Sequence, residues 1–387
     1  MFGPFVAFFL IMLVGLLSAS LLRKLHFPWV VSLIIGGIII GPQVLNVFTP
    51  DTTTEFIGEL GLTFLMFMAG LETQLSSFKE LGSKLGILAF INGYFPFLLG
   101  ISLSRFLGYS PITSLLIGTV FVSSSVAVVI PTLEANNLFD LKIGKSIMAA
   151  IILQDVSSLV LLSILMQNIN PATSLPLYIF YPLTVVAIIC LRYLLPKLRE
   201  IFSFLTSKDD IFQDELKAVF IMLIGTVIIF ELLGLHTIVG GFFAGLVLSD
   251  SVTDKVLMGK IRAICYGIFI PTFFVLIGLH TDVEIIFRSE GAWRVIYLIT
   301  VGSIASKFLS GFFGSLLVGF KKKQAVYFGA SSIPQLSTTL AVAYSAKSFG
   351  FFTNELFTAL VALSIVSTFI GPFIMNSFSR ESLRVGE

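Results

Sequence analysis

Apolar runs separated by glycine, proline and charged residues follow one another along the whole chain. Most of them approach or exceed the roughly 20 residues that an α-helix needs to cross the hydrocarbon core of a bilayer. Thirteen such runs lie near residues 5–22, 28–42, 56–72, 84–106, 112–130, 141–168, 176–195, 213–233, 236–249, 262–280, 291–319, 324–348 and 353–377. The pattern therefore predicts an all-α polytopic membrane protein with about thirteen transmembrane helices.

The composition supports this prediction and excludes several classes of function. The chain is 56% hydrophobic and 12% charged, with a mean hydropathy of +1.01, whereas soluble domains carry about 25% charged residues. We therefore expect a lipid bilayer around the helices. A net charge of +2 gives no indication of a nucleic-acid partner. Sequence motifs of serine hydrolases, zinc proteases and phosphate-binding loops do not occur, so we expect neither an enzyme nor a cofactor.

The basic residues predict the orientation. Nineteen of the 24 Lys and Arg residues lie in the odd-numbered loops between the predicted spans or in the C-terminal tail, and four lie in the even-numbered loops. Basic loops stay on the cytoplasmic side of a membrane. We therefore expect a multi-pass protein of the plasma or inner membrane, with the N-terminus outside and the C-terminus in the cytoplasm.

The two halves of the chain resemble each other. The segment Phe64–Thr73 has a counterpart in Phe273–Asp282, and the glycines of the second span recur in the ninth. This predicts a first repeat over residues 1–175, a linker helix and cytoplasmic loop over 176–212, and a second repeat over 213–387. Because one span separates two units of six, the second repeat would be inverted, as in many secondary transporters. The alternative is chance recurrence of glycine-rich helix packing.

Asp155 is a lone carboxylate near the middle of the sixth predicted span, Leu141–Asn168. A charged side chain at this depth costs about 2.5–3.5 kcal/mol on insertion scales, and such residues usually handle ions or protons. The other interpretation is a structural salt bridge with Lys307, a base in the middle of the eleventh span. Lys307 itself is either a counter-ion or a second carrier of protons.

Two further spans contain polar clusters with proline, where a transmembrane helix can break and expose backbone carbonyls to a cavity. We expect crossing broken helices, with breaks marked by Ser123, Pro131, Pro334 and Gln335. A monovalent cation prefers oxygen ligands. The candidate ligands for such a cation and for the proton are Asp155, Gln154, Ser124, Ser125 and Thr338.

A buried carboxylate that holds either a proton or a metal cation can couple two opposed fluxes. The sequence therefore predicts a secondary-active antiporter that exchanges sodium or potassium for protons, both competing for Asp155. Two alternatives stay open: a gated cation channel, and a sodium-coupled symporter for an organic solute on a similar inverted-repeat fold. A symporter for organic anions would favour an arginine deep within the membrane, whereas the arginines of the predicted spans all lie near span ends.

The chain resembles the monovalent cation:proton antiporter-2 family, which includes bacterial sodium/proton and Kef-type potassium/proton exchangers. The matching segments occur in order along both repeats: Gly36–Pro42, Leu62–Glu72, Ser123–Val129, Ile151–Val156 and Pro271–Gly278. The resemblance implies a thirteen-helix fold, a homodimer, and alternating access by an elevator-like movement. By the same resemblance, spans 4–6 and 11–13 form the moving core and the remaining spans form the scaffold that dimerises.

Two departures from the family pattern bear on mechanism. Electrogenic relatives carry two adjacent acids where this chain has Gln154 and Asp155, so the resemblance predicts electroneutral exchange unless Lys307 also cycles a proton. Pro334 and Gln335 stand where many relatives have Arg-Gly-Glu. Kef-type proteins also carry a cytosolic nucleotide-binding domain, so we expect regulation either to be absent or to reside in a domain or subunit outside this chain.

Overall fold

The computed structural model describes residues 3–24, 27–73, 83–139, 141–169, 214–235, 237–249, 252, 254–288 and 290–378, with several positions between 182 and 197. The regular elements within these ranges are all helical. The α-helices are α1 (Pro4–Arg23), α2 (Trp29–Ile40), α3 (Thr52–Glu72), α4 (Ser83–Phe106), α5 (Pro111–Val122), α6 (Val126–Ala135), α7 (Lys142–Ile169), α8 (Asp214–Leu232), α9 (Thr237–Leu248), α10 (Lys255–Ile264), α11 (Ile270–Leu279), α12 (Ile285–Arg288), α13 (Glu290–Leu317), α14 (Lys322–Ser332), α15 (Ser337–Ser348) and α16 (Asn354–Met375).

These helices confirm the predicted all-α fold with thirteen spans. The fifth span consists of the half-helices α5 and α6, and the twelfth consists of α14 and α15. The seventh corresponds to helical positions between 182 and 197. Within the described residues, eight helical stretches are long and apolar enough to cross a membrane, and α2 and α9 are shorter apolar helices.

The tenth span begins earlier than its apolar run suggests. Helix starts at Lys255 rather than near residue 262, continues through a π-helical turn at Cys265–Phe269, and ends as α11. Asp254 caps the first turn by accepting hydrogen bonds from the backbone N–H groups of Val256 and Leu257, at 3.1 and 3.2 Å. Because α10 carries charged residues on one face, hydropathy alone assigns it to a loop.

The described residues form two compact units. The first lies within Met1–Gly37, Phe48–Ser76 and Met166–Leu276, and the second within Ile38–Val47, Ser77–Leu165 and Ile277–Glu387. The second unit includes the stretches predicted as spans 4–6 and 11–13, except for residues 166–168 at the end of the sixth span. The assignment of core and scaffold roles stays a prediction, and so do the repeat boundaries after residues 175 and 212, which lie outside the described residues.

In the first unit, two glycines bring α3 and α9 into backbone contact. A Cβ atom on Gly70 would collide with the carbonyl oxygen of Phe242, and one on Gly245 would collide with that of Phe67. Close approach at small residues is a common way for membrane helices to associate, because van der Waals packing replaces the hydrophobic effect there. Gly70 lies in the repeated segment Phe64–Thr73, and Gly245 is one of the glycines repeated in the ninth span. The repeat does not indicate that the two glycines face each other.

Gly245→Ala is therefore expected to destabilise the protein by about 1–3 kcal/mol, the usual cost of overpacking. The added methyl meets backbone atoms, which cannot rotate away as a side chain would. The measurement is the thermal unfolding midpoint of the detergent-solubilised protein. Gly225→Ala is the matched control, because a Cβ on Gly225 in α8 meets no atom within 4 Å. Equal midpoints for the two variants would contradict the packing argument.

The second unit has its own apolar core. Leu88 of α4, Leu133 of α6 and Ile147 of α7 are fully buried there with Tyr327 and Phe328 of α14. These large side chains fix the two half-helices α6 and α14 against the continuous helices α4 and α7. The ends of the broken helices are thereby held inside the unit rather than at its surface.

Candidate functional site

Two broken helices cross inside the second unit. The first break, Ser123–Ser125, separates α5 from α6, and the second, between Ser332 and Ser337, separates α14 from α15. The breaks contact each other directly: the Ser125 N–H donates to the carbonyl of Pro334 at 2.7 Å, and the hydroxyls of Ser123 and Thr339 lie 2.7 Å apart. The predicted crossing of two broken helices is therefore confirmed.

The prediction that Pro131 marks a break is wrong. Pro131 lies inside α6, six residues beyond the last residue of the break. Helix α5 ends because Ser123 and Ser125 adopt extended backbone angles, with ψ of 155° and 107°. The Ser123 hydroxyl also returns to the carbonyl of Val120 at 3.1 Å. Neighbouring helices allow proline to stay within a transmembrane helix, so proline is a weaker signal of a break than the three serines.

Asp155 lies on α7 and is 7% exposed. Its carboxylate accepts a hydrogen bond from the Ser124 N–H, at 3.4 Å, and the Thr338 hydroxyl is close enough to stabilise its charge. Ser124 immediately precedes the start of α6 and Thr338 is the second residue of α15. Residues at the N-terminal ends of α6 and α15 therefore lie next to one carboxylate, and the positive ends of helices compensate part of the cost of burying such a charge.

Lys307 lies at the same crossing, next to the C-terminal end of α5. This residue of α13 is fully buried, and its ammonium donates to the carbonyl of Val122 and to Oε1 of Gln154, both at 2.8 Å. Val122 is the last residue of α5, so the ammonium of Lys307 lies at a negative helix end. Within the described part of the chain, its hydrogen bonds go to these two oxygens, which argues against the alternative of a direct salt bridge to Asp155.

The geometry changes the expected role of Gln154. Its Oε1 accepts from Lys307 and also from the Ser124 hydroxyl, at 2.9 Å. Both lone pairs of that oxygen are therefore occupied, and an amide nitrogen cannot coordinate a cation. In this arrangement Gln154 orients Lys307, and its role as a cation ligand stays a prediction.

Ser125 is better placed to bind a cation. Its hydroxyl is buried and has no hydrogen-bond partner among the described residues. A buried polar atom without a partner is costly and is commonly explained by an ion, a ligand or a water. Together with Asp155 and Thr338, Ser125 supplies oxygen atoms of the kind that a monovalent cation requires.

Gln335 holds the two breaks together. Its Nε2 donates to the carbonyls of Phe121 and Ser123, at 3.3 and 3.2 Å, and its Oε1 accepts from the Ser303 hydroxyl at 2.9 Å. Its backbone N–H donates to the hydroxyl of Ser367 at 3.1 Å. Gln335 was predicted as part of the break, and the structure shows that its side chain satisfies the exposed carbonyl end of α5.

Sequence reasoning missed the polar residues of the continuous helices around the site. Their common feature is helical spacing on one face of α13: Thr300, Ser303, Lys307 and Ser310 lie three, four and three residues apart. A stripe at this spacing is the signal that would have found Ser303 and Ser310. Ser367 of α16 and Asn92 of α4 lack such a signal beyond being polar in apolar runs.

Comparison with known proteins places this geometry in a family. The family model described as sodium/hydrogen exchanger, transmembrane, matches residues 8–379. The probable Na+/H+ antiporter 3 of Methanocaldococcus jannaschii is 29% identical over 96% of this chain and 96% of its own length. The Na+/H+-K+ antiporter GerN of Bacillus cereus is 28% identical over 94% of this chain and 93% of its own length.

A solved structure shares the fold. The sodium proton antiporter MjNhaP1 of Methanocaldococcus jannaschii superposes with a TM-score of 0.72 at 18% identity, over 99% of both chains. The resemblance inferred from the sequence motifs is confirmed at the level of the broad cation:proton antiporter family, whereas the narrower Kef-type assignment stays a prediction. Because the family model covers nearly the entire sequence, this chain belongs to the sodium/hydrogen exchanger family of membrane proteins.

Proposed function

We propose that this protein is a secondary-active antiporter that exchanges a monovalent cation for protons at Asp155. The observation that carries the proposal is the buried carboxylate at the N-terminal ends of α6 and α15, together with the unpartnered hydroxyl of Ser125, the residue after Ser124. The relatives support the ion assignment, since they are described as Na+/H+ antiporters and one as Na+/H+-K+. Sodium is therefore the first cation to test and potassium the second.

Coupling follows from the chemistry of one carboxylate. The ionised form of Asp155 binds a cation together with the oxygens of Ser125 and Thr338, and the protonated form has no charge to offer it. The protein exchanges the two ions if the change between outward-facing and inward-facing states is fast with a cation or a proton bound and slow with neither. The positive helix ends assist in the ionised state, because they stabilise the carboxylate while no cation is bound.

We infer an electroneutral stoichiometry of one cation for one proton. Asp155 is the acid at the site, and its neighbour in the sequence is an amide. The ammonium of Lys307 has two fixed acceptors, Val122 and Gln154. An ammonium held in this way acts as a permanent counter-charge to the negative end of α5, so Lys307 need not lose its proton during transport.

Alternating access by an elevator-like movement is the transport step that we propose. The supporting observation is that Asp155, Lys307, Gln335 and both breaks belong to the same compact unit. A site built within one unit can move with its ligands intact. In this proposal the second unit is the mobile core and the first is the scaffold of a homodimer in the cell membrane, with the N-terminus outside.

Transport by the reconstituted protein tests this function. Liposomes containing a pH-sensitive dye receive pulses of sodium or potassium, with the membrane potential clamped near zero and then offset. Proton movement that follows the cation gradient and ignores the potential supports electroneutral antiport. Flux that follows the potential without a proton gradient would support a channel. Absence of proton movement with either cation would favour the symporter and move the search to organic solutes.

Lys307→Ala is expected to shift the pH dependence of exchange to higher pH. Removing a buried positive charge near Asp155 disfavours the ionised carboxylate, so a higher pH is needed for the same occupancy by the cation. The measurement is the pH of half-maximal sodium-driven proton movement. Lys322→Ala, which removes an exposed lysine at the start of α14, serves as the control. An unchanged profile would mean that Lys307 acts independently of the carboxylate.

A further inference from the structure

Asn92 is a fully buried amide in the apolar middle part of helix α4. Its Oδ1 accepts a hydrogen bond from the Ser310 hydroxyl of α13, and its Nδ2 donates one to the Ser332 hydroxyl at the end of α14, both at 2.7 Å. The donor and the acceptor of one amide therefore join two other helices. Satisfying both ends of a buried amide fixes its orientation and those of its partners.

These contacts continue to the ammonium of Lys307. The Ser124 hydroxyl lies 3.1 Å from the carbonyl of Ser332 and 2.9 Å from Oε1 of Gln154, the same oxygen that accepts from Lys307. Ser310 is one turn beyond Lys307 on α13, and its hydroxyl also lies 3.2 Å from the carbonyl of Lys307. The hydrogen bonds thus form a closed ring through four helices and the first break.

The surroundings leave little room for this ring to rearrange. A Cβ atom on Gly311 would lie 2.8 Å from the Ser332 hydroxyl and 3.4 Å from Oδ1 of Asn92. On the other side, a Cβ on Gly93 would lie 3.5 Å from a side-chain methyl of Val122. Gly93 therefore lies near the side chain of Val122, the residue whose carbonyl accepts from Lys307. A shift of α4 would for this reason also displace an acceptor of the ammonium.

We propose that Asn92 is a positioning residue for cation/proton exchange, which joins Ser310 to Ser332 and thereby holds Lys307 on Val122 and Gln154. This inference rests on the proposed function. Without the amide, α13 and α14 lose their shared partner and the ammonium is free to move toward the carboxylate of Asp155. A positive charge closer to Asp155 competes with the transported cation, so the cation affinity falls while the site itself stays complete.

A double-mutant cycle on the reconstituted protein tests the proposal. Asn92→Ala is expected to raise the KM for sodium about five- to tenfold, within the range typical of coupled neighbours. The same substitution in a Lys307→Ala background should leave the KM of that background unchanged, because no ammonium is left to compete. Asn136→Ala is the matched control, since its amide donates to Asn376 and to the Tyr327 hydroxyl, neither of which belongs to the ring.

Two results would overturn the proposal: an unchanged KM in Asn92→Ala, or an equal rise in both backgrounds, which would indicate a role independent of Lys307. If Asn92→Ala does not fold, Ser310→Ala removes one hydroxyl of the ring, and its KM must rise in the presence of Lys307 and not in its absence. Failure of the proposed function is a separate result, because the wild-type protein would then show no sodium-driven proton movement.

Discussion

Asp155→Asn is expected to abolish cation-driven proton movement and to leave the protein folded. Asparagine keeps the size of the side chain and one oxygen that can accept from the Ser124 N–H and the Thr338 hydroxyl. It lacks the negative charge that binds the cation, and its amide does not take up a proton near neutral pH. Replacing one carboxylate oxygen by an amide nitrogen therefore removes both cation binding and proton binding.

The folded state provides the check on this interpretation. Removing a buried charge relieves a desolvation cost, so we expect the thermal unfolding midpoint of Asp155→Asn to equal or exceed that of the wild type. Glu134→Gln is the control, because it neutralises an exposed carboxylate on the neighbouring half-helix α6. Wild-type exchange in Asp155→Asn would contradict the proposed mechanism and require another group to carry the proton.

Much of the fold could be predicted from the sequence because the bilayer imposes a simple rule on length and polarity. Twenty apolar residues or so are needed to cross it, and this rule located the spans. It failed at the start of the tenth span, where the amphipathic α10 precedes the apolar part of the helix. Hydropathy measures the average of a segment and does not register a helix whose polar face is solvated.

The candidate site was predictable where a residue is unusual for its surroundings. A carboxylate or an ammonium in an apolar run is such a residue, and Asp155 and Lys307 were found for that reason. The hydrogen bond from Lys307 to Gln154 could not be predicted, because the sequence does not show which donor lies next to an amide oxygen. That depends on the position of α13 relative to α7, which is a property of the tertiary structure.

The position of the second break could also be predicted from the sequence, but its side-chain contacts could not. Pro334 located the break in the sequence, but nothing there indicated that the side chain of Gln335 would donate to the carbonyls of Phe121 and Ser123. In the structure, the carbonyl end of α5 is satisfied by one neutral amide and one ammonium, those of Gln335 and Lys307. A neutral donor at the break is sufficient here because the positive charge comes from another helix.

Gln335→Leu is therefore expected to destabilise the protein strongly. Leucine fills a similar volume but leaves the carbonyls of Phe121 and Ser123 and the hydroxyl of Ser303 without the partner that each now has in Gln335. An unsatisfied buried polar group costs about 1–3 kcal/mol, so three of them should cost at least about 3 kcal/mol in total. The measurement is the free energy of unfolding, or the thermal midpoint, in detergent.

Transport should be impaired in the fraction of Gln335→Leu that remains folded. The carbonyl of Val122, which accepts from Lys307, lies between the two carbonyls that Gln335 holds. When that end of α5 is released, the ammonium loses a fixed acceptor and the geometry around Asp155 changes with it. Gln324→Leu is the matched control, since this glutamine caps the backbone N–H of Lys321 at the start of α14. If both variants unfold at the same temperature and transport at the same rate, Gln335 does not hold the crossing together.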